Sequence, residues 1–356
     1  MVVTPAGIWK FQRELLAWFD VHARDLPWRR SSHPYYIWVS EIMLQQTRVT
    51  AVLDYYARFL AMFPTVAALA AAEEADVLAA WSGLGYYRRA KLMRQAAQVV
   101  VREHQGILPR TAEQLRKLPG IGEYTSSAIA SIAYGEPAAV VDGNVERVLL
   151  RLFPGDGNPG QGNQAKTLRE RAAGLLDTER PGDFNQSMME LGAMVCLPQR
   201  PLCLHCPVQP FCATRGEHQG PPPKKMRNQQ IAYALLCRNR SGATPAAIQV
   251  LLQRRPMSVS LMPGMWELPE VAMRESDEER VEITLRHAIT VTNYRVRVLR
   301  LSERESAHRL PSRGYPRKWA KSSELGSLPL TGLTRKILKR LQIMPKTQGV
   351  AILTRS

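Results

Sequence analysis

The sequence predicts a multi-domain protein, with an all-α domain followed by a smaller α+β domain. A chain of 356 residues has room for two domains at the usual size of about 100–200 residues each. Through residues 6–215 apolar side chains recur every three or four positions, as in amphipathic helices, whereas short β-rich runs follow residue 230. We place the helical domain at residues 1–215, a linker at 216–230, the second domain at 231–345 and a tail at 346–356.

Ten helices are predicted in the first domain, separated by short breaks that contain Pro or Gly. They cover residues 8–19, 36–44, 50–63, 73–80, 88–103, 112–118, 125–134, 145–152, 165–176 and 184–195. In the second domain the patterns predict strands at 231–237, 248–253 and 294–301 and a helix at 278–285. The segment 216–228 is rich in Gly, Pro and Lys, as extended linkers are.

The composition indicates a globular protein with a polyanionic partner. Hydrophobic residues make up 45% of the chain and charged residues 22%, which excludes wholesale disorder. There is no apolar run of about 18 residues and no signal-peptide core in the first ten residues, so we expect neither a membrane span nor export. The net charge is +17, of which residues 231–356 carry +12, and this excess favours nucleic acid over a merely solubilising surface.

Four of the five cysteines cluster within seventeen residues. Cys196, Cys203, Cys206 and Cys212 follow the spacing C-x6-C-x2-C-x5-C, so that four thiolates can surround one metal centre. Zinc sites usually contain two C-x2-C pairs and only one occurs here, so the spacing favours a [4Fe–4S] cluster, with zinc as the alternative. Cys237 lies in an apolar run and is expected to be a small core residue.

A short glycine-containing turn separates two of the predicted helices. In Leu118-Pro119-Gly120-Ile121-Gly122 the two glycines permit a tight turn and a close approach of the backbone to a ligand. Its N–H groups and the N-terminus of the following helix can hold a DNA phosphate. The small residues that follow favour a helix–hairpin–helix motif over an ordinary glycine-capped corner.

Two acidic residues are candidates for chemistry. Glu41 shares a predicted helix face with Trp38 and Leu44, and an apolar environment raises the pKa of a carboxyl group. The alternative is a solvated acidic residue in a first helical turn. Asp142 precedes Gly-Asn at a helix start, where it is either only an N-cap or a carboxylate aimed into a cleft.

Together these motifs resemble the MutY family of adenine DNA glycosylases. The matching stretches are LPWRR (26–30), VSEIMLQQTRV (39–49), GLGYYRRA (83–90), LPGIGEYT (118–125), VDGNVERVL (141–149), FNQSMMELGAMVC (184–196) and GMWELP (264–269). The resemblance implies a helix–hairpin–helix glycosylase domain with a [4Fe–4S] loop at residues 196–212. It also implies that the second domain is Nudix-like.

The resemblance extends to glycosylase–lyases of the endonuclease III type, which differ at one position. They place a lysine two residues after the second hairpin glycine, and this lysine attacks the sugar as an amine nucleophile. Here that position is Tyr124, and a phenol cannot form a Schiff base. The resemblance therefore implies a monofunctional enzyme that hydrolyses the N-glycosidic bond with water.

The resemblance implies roles for individual residues. Glu41 would protonate N7 of adenine and Asp142 would stabilise the developing sugar cation, while Tyr124 and Asn144 would orient these groups and the water. The adenine leaves the base stack to reach them. The remaining implied residues, for which core packing is the alternative, are Trp28, Arg29 and Gln186 in the adenine pocket and Gln46 and Tyr86 in a wedge, with Thr47 and Leu84 beside it.

The second domain resembles the family's reader of 8-oxoguanine opposite the adenine. Glu278 and Glu279 stand where the Nudix-hydrolase signature requires Arg-Glu, so we expect a non-catalytic domain. The family's lesion-reading loop carries Phe-Ser-His, whereas this chain has Ile289-Thr290-Val291. Thr290 keeps the hydroxyl, but the histidine is absent.

We therefore expect a monomer that acts on double-stranded DNA in the cytoplasm of a bacterium, without a membrane partner. Its substrates would contain 8-oxoguanine·adenine or guanine·adenine mispairs. The alternatives are a glycosylase of the same fold that acts on thymine or uracil opposite guanine, and a non-enzymatic iron–sulfur protein that binds DNA. The pair Glu41 and Asp142 argues against the second alternative, because binding alone would favour Lys or Arg.

Overall fold

The computed structural model describes residues 4–154, 164–216, 225–238, 248–259, 261–289, 291–310 and 315–344. Thr290 and the predicted tail at 346–356 lie outside the described residues. The chain forms two compact units, which alternate along the sequence. The first unit comprises Met1–Tyr56, Thr65–Ala70 and Gln95–Pro221, and the second comprises Ala57–Pro64, Ala71–Arg94 and Pro222–Ser356.

The described part of residues 4–216 contains eleven α-helices. They are α1 (Pro5–His22), α2 (Pro34–Leu44), α3 (Val49–Met62), α4 (Val66–Ala71), α5 (Glu74–Trp81), α6 (Arg88–His104), α7 (Ala112–Leu115), α8 (Glu123–Tyr134), α9 (Gly143–Leu152), α10 (Gln164–Leu175) and α11 (Pro181–Met194). The ten predicted helices are confirmed. The pattern does not predict α4, because its six residues are too few to show a helical period. Among the helices that the structure describes, none has the length and apolar character of a membrane span.

A shared apolar core holds α1, α9, α10 and α11 together in the first unit. Its buried side chains include Phe11, Leu149, Leu168 and Phe184. The ring of Phe11 lies 6.3 Å from that of Phe184 and meets the ring of Phe211 edge-on at 5.7 Å. Since full burial of such a side chain contributes about 1.5–3 kcal/mol, this core fixes α9 and the cysteine segment in one body.

The described part of residues 225–344 contains eight strands and two helices. They are β1 (Arg227–Leu235), β2 (Cys237–Arg238), β3 (Gln249–Arg254), β4 (Trp266–Glu267), β5 (Glu270–Val271), β6 (Val281–Ile289), β7 (Thr292–Arg300), α12 (Glu303–Arg309), β8 (Arg317–Lys321) and α13 (Gly332–Arg340). The prediction of mixed α and β structure is confirmed.

These strands form two sheets. The first has the order β5-β1-β7-β6, in which β1 and β7 run parallel and the other pairs run antiparallel. In the second sheet β3 is central and pairs with β8 on one side and with β2 and β4 on the other. Cys237 packs against the core between these elements, as predicted for a small core residue.

The helix predicted at 278–285 is wrong. A short 3-10 helix covers Glu275–Arg280, and β6 begins directly afterwards at Val281. Ile283 and Leu285 face inward between exposed residues, and β6 pairs along its length with β7. This alternation, together with β-branched side chains, outweighs the helix propensity of the preceding acidic run.

Strand β1 begins within the segment predicted as a linker. Residues 227–230 are exposed and polar, so they carry no hydrophobic signal. Their backbone pairs in parallel register with β7, from Arg227 opposite Thr292 to Gln230 opposite Arg295. Long-range pairing thus extends the strand beyond its apolar part.

Gly192 allows α11 to lie unusually close to α9. A Cβ atom at this position would lie 2.7 Å from the Cβ of Asn144 and 3.0 Å from its carbonyl oxygen. Both atoms belong to the helix start that carries Asp142, so a larger residue would displace that helix start.

We predict that Gly192→Ala lowers the free energy of unfolding by about 1–3 kcal/mol, because the added methyl group overpacks the contact. Gly174→Ala in α10 is the matched control, since a Cβ there meets no atom within 4 Å. Gly174→Ala should raise the free energy of unfolding by up to about 1 kcal/mol, because alanine has a higher helix propensity than glycine. Urea unfolding of both variants measures the difference, and equal effects would contradict the packing argument.

Candidate active site

Glu41 is a buried carboxyl group in α2, with only 5% of the residue exposed. The hydroxyl group of Tyr124, in the first turn of α8, donates a hydrogen bond of 2.5 Å to its Oε2. Burial raises the pKa of Glu41 to about 7 although the hydrogen bond from Tyr124 opposes this, and the negative charge of Asp142 adds to the rise. At neutral pH Glu41 therefore holds a proton in a large fraction of molecules.

The sequence around Glu41 explains its burial. Helix α2 starts at Pro34, a favoured residue in a first helical turn, and its residues 35 and 37–43 are all buried. At the end of α2 the amide group of Gln45 donates to the hydroxyl oxygen of Thr125 at 3.0 Å, which ties α2 to α8. The prediction of an apolar environment for Glu41 holds in the structure.

Asp142 is both the N-cap of α9 and a half-buried neighbour of Glu41. Its Oδ1 accepts hydrogen bonds from the N–H groups of Asn144 at 2.9 Å and Val145 at 2.7 Å, and its Oδ2 accepts from the side-chain amide of Asn144 at 3.1 Å. Burial raises the pKa of Asp142 above its ordinary value, although these hydrogen bonds favour the charged form. Its role as an N-cap therefore does not exclude the predicted role as a carboxylate of the site.

Arg147 holds Asn144 in place from the next turn of α9. Its Nη2 donates to Oδ1 of Asn144 at 2.9 Å and to the carbonyl oxygen of Gly192 at 2.6 Å, and its Nε donates to the carbonyl oxygen of Cys196 at 2.8 Å. Sequence reasoning missed this arginine. Its spacing of three residues from Asn144, which puts both on one helix face, was the available signal.

The four clustered cysteines follow α11 and lie against the core of the first unit. All four are free thiols, and Cys196, Cys206 and Cys212 pack on that core. Burial, with smaller contributions from the other three cysteines, raises the pKa of Cys206 to about 11. Among the described residues no three His, Cys, Asp or Glu side chains stand in the geometry of a single metal ion.

A buried arginine on α9 contacts the cysteine cluster. Arg151, 3% exposed, donates from Nη1 to the Sγ of Cys196 at 3.1 Å, and its carbonyl oxygen accepts a hydrogen bond from the thiol of Cys212 at 3.4 Å. Negative charges on the ionised thiols would repel one another, and the guanidinium group of Arg151 offsets part of this repulsion. Four soft donors in one short segment beside a buried cation are a donor set that suits an iron–sulfur cluster.

A second buried glutamate organises the predicted adenine pocket. Glu190 receives hydrogen bonds from Nε and Nη2 of Arg24, both at 2.7 Å, and from Nη1 and Nη2 of Arg29 at 3.1 and 2.9 Å. Burial alone would raise the pKa of Glu190, but the two arginines hold it at about 2. Arg29 also donates to Oε1 of Gln186 at 3.3 Å. The resemblance implies Arg29 and Gln186 as pocket residues, whereas Arg24 and Glu190 were not among the predicted residues.

Three more of the predicted residues lie in the first unit. They are Trp28 of the pocket, Gln46 of the wedge and Thr47 beside the wedge. Trp28 is buried, and its ring meets that of Tyr56 edge-on at 5.3 Å. Gln46 is exposed and adopts a left-handed backbone conformation, with φ of 56°. The hydroxyl group of Thr47 donates to the carbonyl oxygen of Gln45 at 3.3 Å.

The other two predicted wedge residues belong to the second unit. Leu84 is buried, whereas Tyr86 is 50% exposed and has a positive φ of 49°. Thr290, the predicted lesion-contacting residue, lies outside the described residues.

The predicted hairpin connects α7 to α8. Gly120 has a φ of 74°, a conformation that favours glycine, and the N–H of Ile121 donates to the carbonyl oxygen of Leu118 at 3.2 Å. Gly122 is exposed and precedes α8 as a cap without a side chain. The N–H groups at the start of α8 therefore remain accessible to an anion.

We predict that Glu41→Gln makes the protein more stable at high pH, because glutamine need not be ionised inside the protein. Stability from protonated Glu41 is fully present below pH 4.5, its ordinary pKa, and is lost as the pH rises through about 7. A pKa difference of this size corresponds to about 3 kcal/mol.

The measurement is the difference in free energy of unfolding between the two proteins from pH 4 to 9. This difference isolates residue 41, since all other titrating groups are common to both proteins. The stability gain of Glu41→Gln should grow between pH 4.5 and 8, and a gain that stays constant over this range would exclude a raised pKa.

Several of the residues described above lie in a segment that is similar to known DNA repair proteins. Residues 39–173, which contain Glu41, Tyr124, Asp142 and Asn144, match the model of the HhH-GPD superfamily base excision DNA repair proteins. The chain is 40% identical to the adenine DNA glycosylase of Rattus norvegicus over 326 residues, which cover 77% of this chain and 63% of that relative. It thus spans less than two thirds of the rat protein.

Two further relatives extend the comparison. The adenine DNA glycosylase of Mycobacterium tuberculosis (strain CDC 1551 / Oshkosh) is 42% identical over 210 residues, which cover 59% of this chain and 68% of that protein. A solved thermostable thymine-DNA glycosylase is 29% identical with a TM-score of 0.54, covering 58% of this chain and 96% of the other. The chain belongs to the adenine DNA glycosylase family within the HhH-GPD superfamily.

Proposed function

We propose that this protein is a monofunctional adenine DNA glycosylase of base excision repair. It would hydrolyse the N-glycosidic bond of adenine mispaired with 8-oxoguanine or guanine in duplex DNA, in the cytoplasm of a bacterium. The observation that carries the proposal is a pair of neighbouring carboxyl groups with unlike surroundings, the buried Glu41 with a pKa of about 7 and the half-buried Asp142, which caps a helix start. The names of the similar proteins, adenine DNA glycosylase, support the same activity.

Glu41 supplies the proton that adenine needs to depart. An adenine anion is a poor leaving group, and protonation at N7 makes the base leave as a neutral molecule. A carboxyl group whose pKa lies near the working pH is both protonated and able to give up its proton. The hydroxyl group of Tyr124 stays on Glu41 as a hydrogen-bond donor and so stabilises the carboxylate that forms on proton transfer.

Asp142 acts on the sugar. Breaking the bond leaves an oxocarbenium-like sugar, whose positive charge a nearby carboxylate stabilises. The helix-start N–H groups and the amide of Asn144 favour the charged form of Asp142, against the effect of its burial, and fix its direction. Two carboxyl groups with unlike surroundings thus divide the roles of acid and electrostatic stabiliser.

The pocket for the base is built from the residues around Glu190. The adenine turns out of the stack to reach Glu41, and Arg29, Gln186 and Trp28 then contact it. Because the carboxylate of Glu190 binds both Arg24 and Arg29, it offsets part of their positive charge and fixes the direction in which Arg29 presents its hydrogen-bonding groups to the base. The accessible N–H groups after Gly120 and Gly122 bind a backbone phosphate.

The second domain is proposed to read the base opposite the adenine. Residues 231–356 contain 22 basic residues against 10 acidic ones, which suits contact with the phosphate backbone. Thr290 would supply a hydroxyl group to the lesion, and Gln46 and Tyr86 would fill the gap left by the adenine. The similarity to a thymine-DNA glycosylase keeps one second candidate, a thymine·guanine substrate.

A series of duplexes that differ only in the mispair separates these candidates. The series contains 8-oxoguanine·adenine, guanine·adenine, thymine·guanine, uracil·guanine and matched thymine·adenine. Release of free adenine from the first two alone supports the proposal. Release of thymine or uracil, or of no base, would reject it.

We also propose that Cys196, Cys203, Cys206 and Cys212 hold a [4Fe–4S] cluster. The spacing of the four cysteines and the hydrogen bond from Arg151 to the Sγ of Cys196 support this assignment. When bound, the cluster would cross-link the loop that follows α11. Arg147 and Arg151 would then hold this loop against α9, the helix that Asp142 caps.

Glu41→Gln is predicted to slow adenine release by about 10²–10⁴-fold, since an amide cannot donate the proton that a general acid provides. Binding to a mispaired duplex should change little, because the shape of the side chain is kept. Glu179→Gln, at an exposed position, is the control and should react like the unaltered protein. Single-turnover rates within about threefold of the unaltered protein would refute the role of Glu41.

Protein purified without oxygen is predicted to be brown and to contain about four iron atoms per chain. Cys203→Ser should lose iron, fold less stably and bind DNA more weakly, whereas Cys237→Ser should keep its iron, because Cys237 packs in the other unit. Metal analysis of the three proteins provides the measurement. One zinc ion and no iron would contradict the cluster.

A further inference from the structure

The turn that carries Tyr86 is conformationally demanding. Within residues 82–87, Gly83, Gly85 and Tyr86 have positive φ values of 114°, 74° and 49°. Left-handed backbone is unfavourable for a tyrosine, and it persists where surrounding contacts impose it. The ring of Tyr86 is 50% exposed, so its own burial is a small part of what holds it.

Some of the contacts that impose this turn come from the adjoining helices. Nε1 of Trp81 and Nη2 of Arg89 donate to the carbonyl oxygen of Gly85 at 3.2 and 3.3 Å. The N–H of Gly83 donates to the hydroxyl oxygen of Tyr87 at 3.2 Å. These bonds shape the turn locally but leave its position to the residues at its two ends.

Both ends of the turn are bound to one carbonyl group from the C-terminal part of the chain. The hydroxyl groups of Ser82 and Tyr87 donate to the carbonyl oxygen of Leu330 at 2.6 and 3.4 Å. Nε of Arg335, on the first turn of α13, donates to the hydroxyl oxygen of Ser82 at 2.9 Å. All four residues are buried, and hydrogen bonds that involve a charged donor are strong where water is excluded.

The carbonyl group of Leu330 is in turn held by the second sheet. Leu330 forms an isolated bridge with Trp266 of β4, whose N–H donates to the carbonyl oxygen of Pro329 at 2.8 Å. The N–H of Thr331 donates to the carbonyl oxygen of Trp266 at 2.9 Å, and Thr331 caps α13. Backbone contacts therefore lead from β4 to the carbonyl group of Leu330, and the hydroxyl groups of Ser82 and Tyr87 connect this carbonyl group to the turn.

We infer that Arg335 is a positioning residue, which acts through Ser82 to hold the exposed ring of Tyr86 ready for insertion into DNA. The inference rests on the proposed function, because that function gives Tyr86 its role. Arg335 lies in the part of the chain proposed to read the opposite base, and Tyr86 in the part proposed to fill the gap beside it. The buried junction of Arg335, Ser82, Tyr87 and Leu330 links the two tasks within one compact unit.

The test compares Arg335→Met with Arg340→Met. Both variants remove one positive charge from α13, but Arg340 is exposed, and methionine fills the buried site at residue 335 without a new polar group. In the free protein, hydrogen exchange at the amides of Gly83 and Leu84 should rise about tenfold or more in Arg335→Met and change less than about twofold in Arg340→Met. Unchanged exchange in Arg335→Met would overturn the inference without any reference to activity.

A double-mutant cycle with Tyr86→Ala shows whether Arg335 acts through the ring. The measured quantity is the maximal single-turnover rate of adenine release from a guanine·adenine duplex, divided by the protein concentration that gives half of this rate. We expect Arg335→Met to lower this quotient about tenfold. Added to Tyr86→Ala, it should cause a further loss of less than about twofold. If the double variant loses as much as the two single losses multiplied together, Arg335 acts independently of Tyr86. This result would show a general structural effect and reject the inference.

The experiments stay decisive if the unaltered protein is inactive or if a variant does not fold. If the unaltered protein releases no adenine, the proposed function fails, and the exchange experiment alone decides whether Arg335 holds the turn. If Arg335→Met does not fold, Arg335→Lys takes its place, because it keeps the buried charge but lacks the guanidinium geometry. Arg335→Lys should show the same local increase in exchange, and its absence would likewise reject the inference.

Discussion

The first unit depends on a carboxyl group that has been removed from water. Burying Glu41 raises its pKa to about 7, and α2 and α8, with the cap of α9, supply the groups that surround it. Glu190 is buried as deeply, yet its pKa is held at about 2 by Arg24 and Arg29. Partners rather than depth decide which of the two glutamates carries a proton at neutral pH.

Helix α9 connects the reactive end of this unit to its cysteine segment. Its N-terminus fixes Asp142, and two arginines one turn apart, Arg147 and Arg151, bind carbonyl groups and a thiol of the residues that follow α11. The close contact at Gly192 brings α11 near enough for these bonds. A displacement of the cysteine segment is therefore transmitted to the cap through the close backbone contact at Gly192 and the guanidinium groups of Arg147 and Arg151.

Local pattern predicted much of the fold and singled out Glu41 and Asp142 as candidates, for identifiable reasons. Glu41 reveals itself through neighbours on its own helix, and Asp142 through the residues that it caps, so both are visible in short windows of sequence. Arg24 lies 166 residues from Glu190, and Ser82 lies 248 from Leu330, so no local period reports these pairs. The wrong helix at 278–285 has the same origin, since pairing with β7 rather than local propensity makes it a strand.

The segments of the two units alternate along the sequence, and this order has a consequence for synthesis of the protein. Residues 71–94 leave the ribosome before residues 222–356, which belong to the same unit. Until Leu330 and Arg335 emerge, the hydroxyl groups of Ser82 and Tyr87 lack these two partners. A nascent or truncated chain thus exposes polar groups of the turn after α5 that are buried in the finished protein, and quality-control proteases gain a target within the helical half of the sequence.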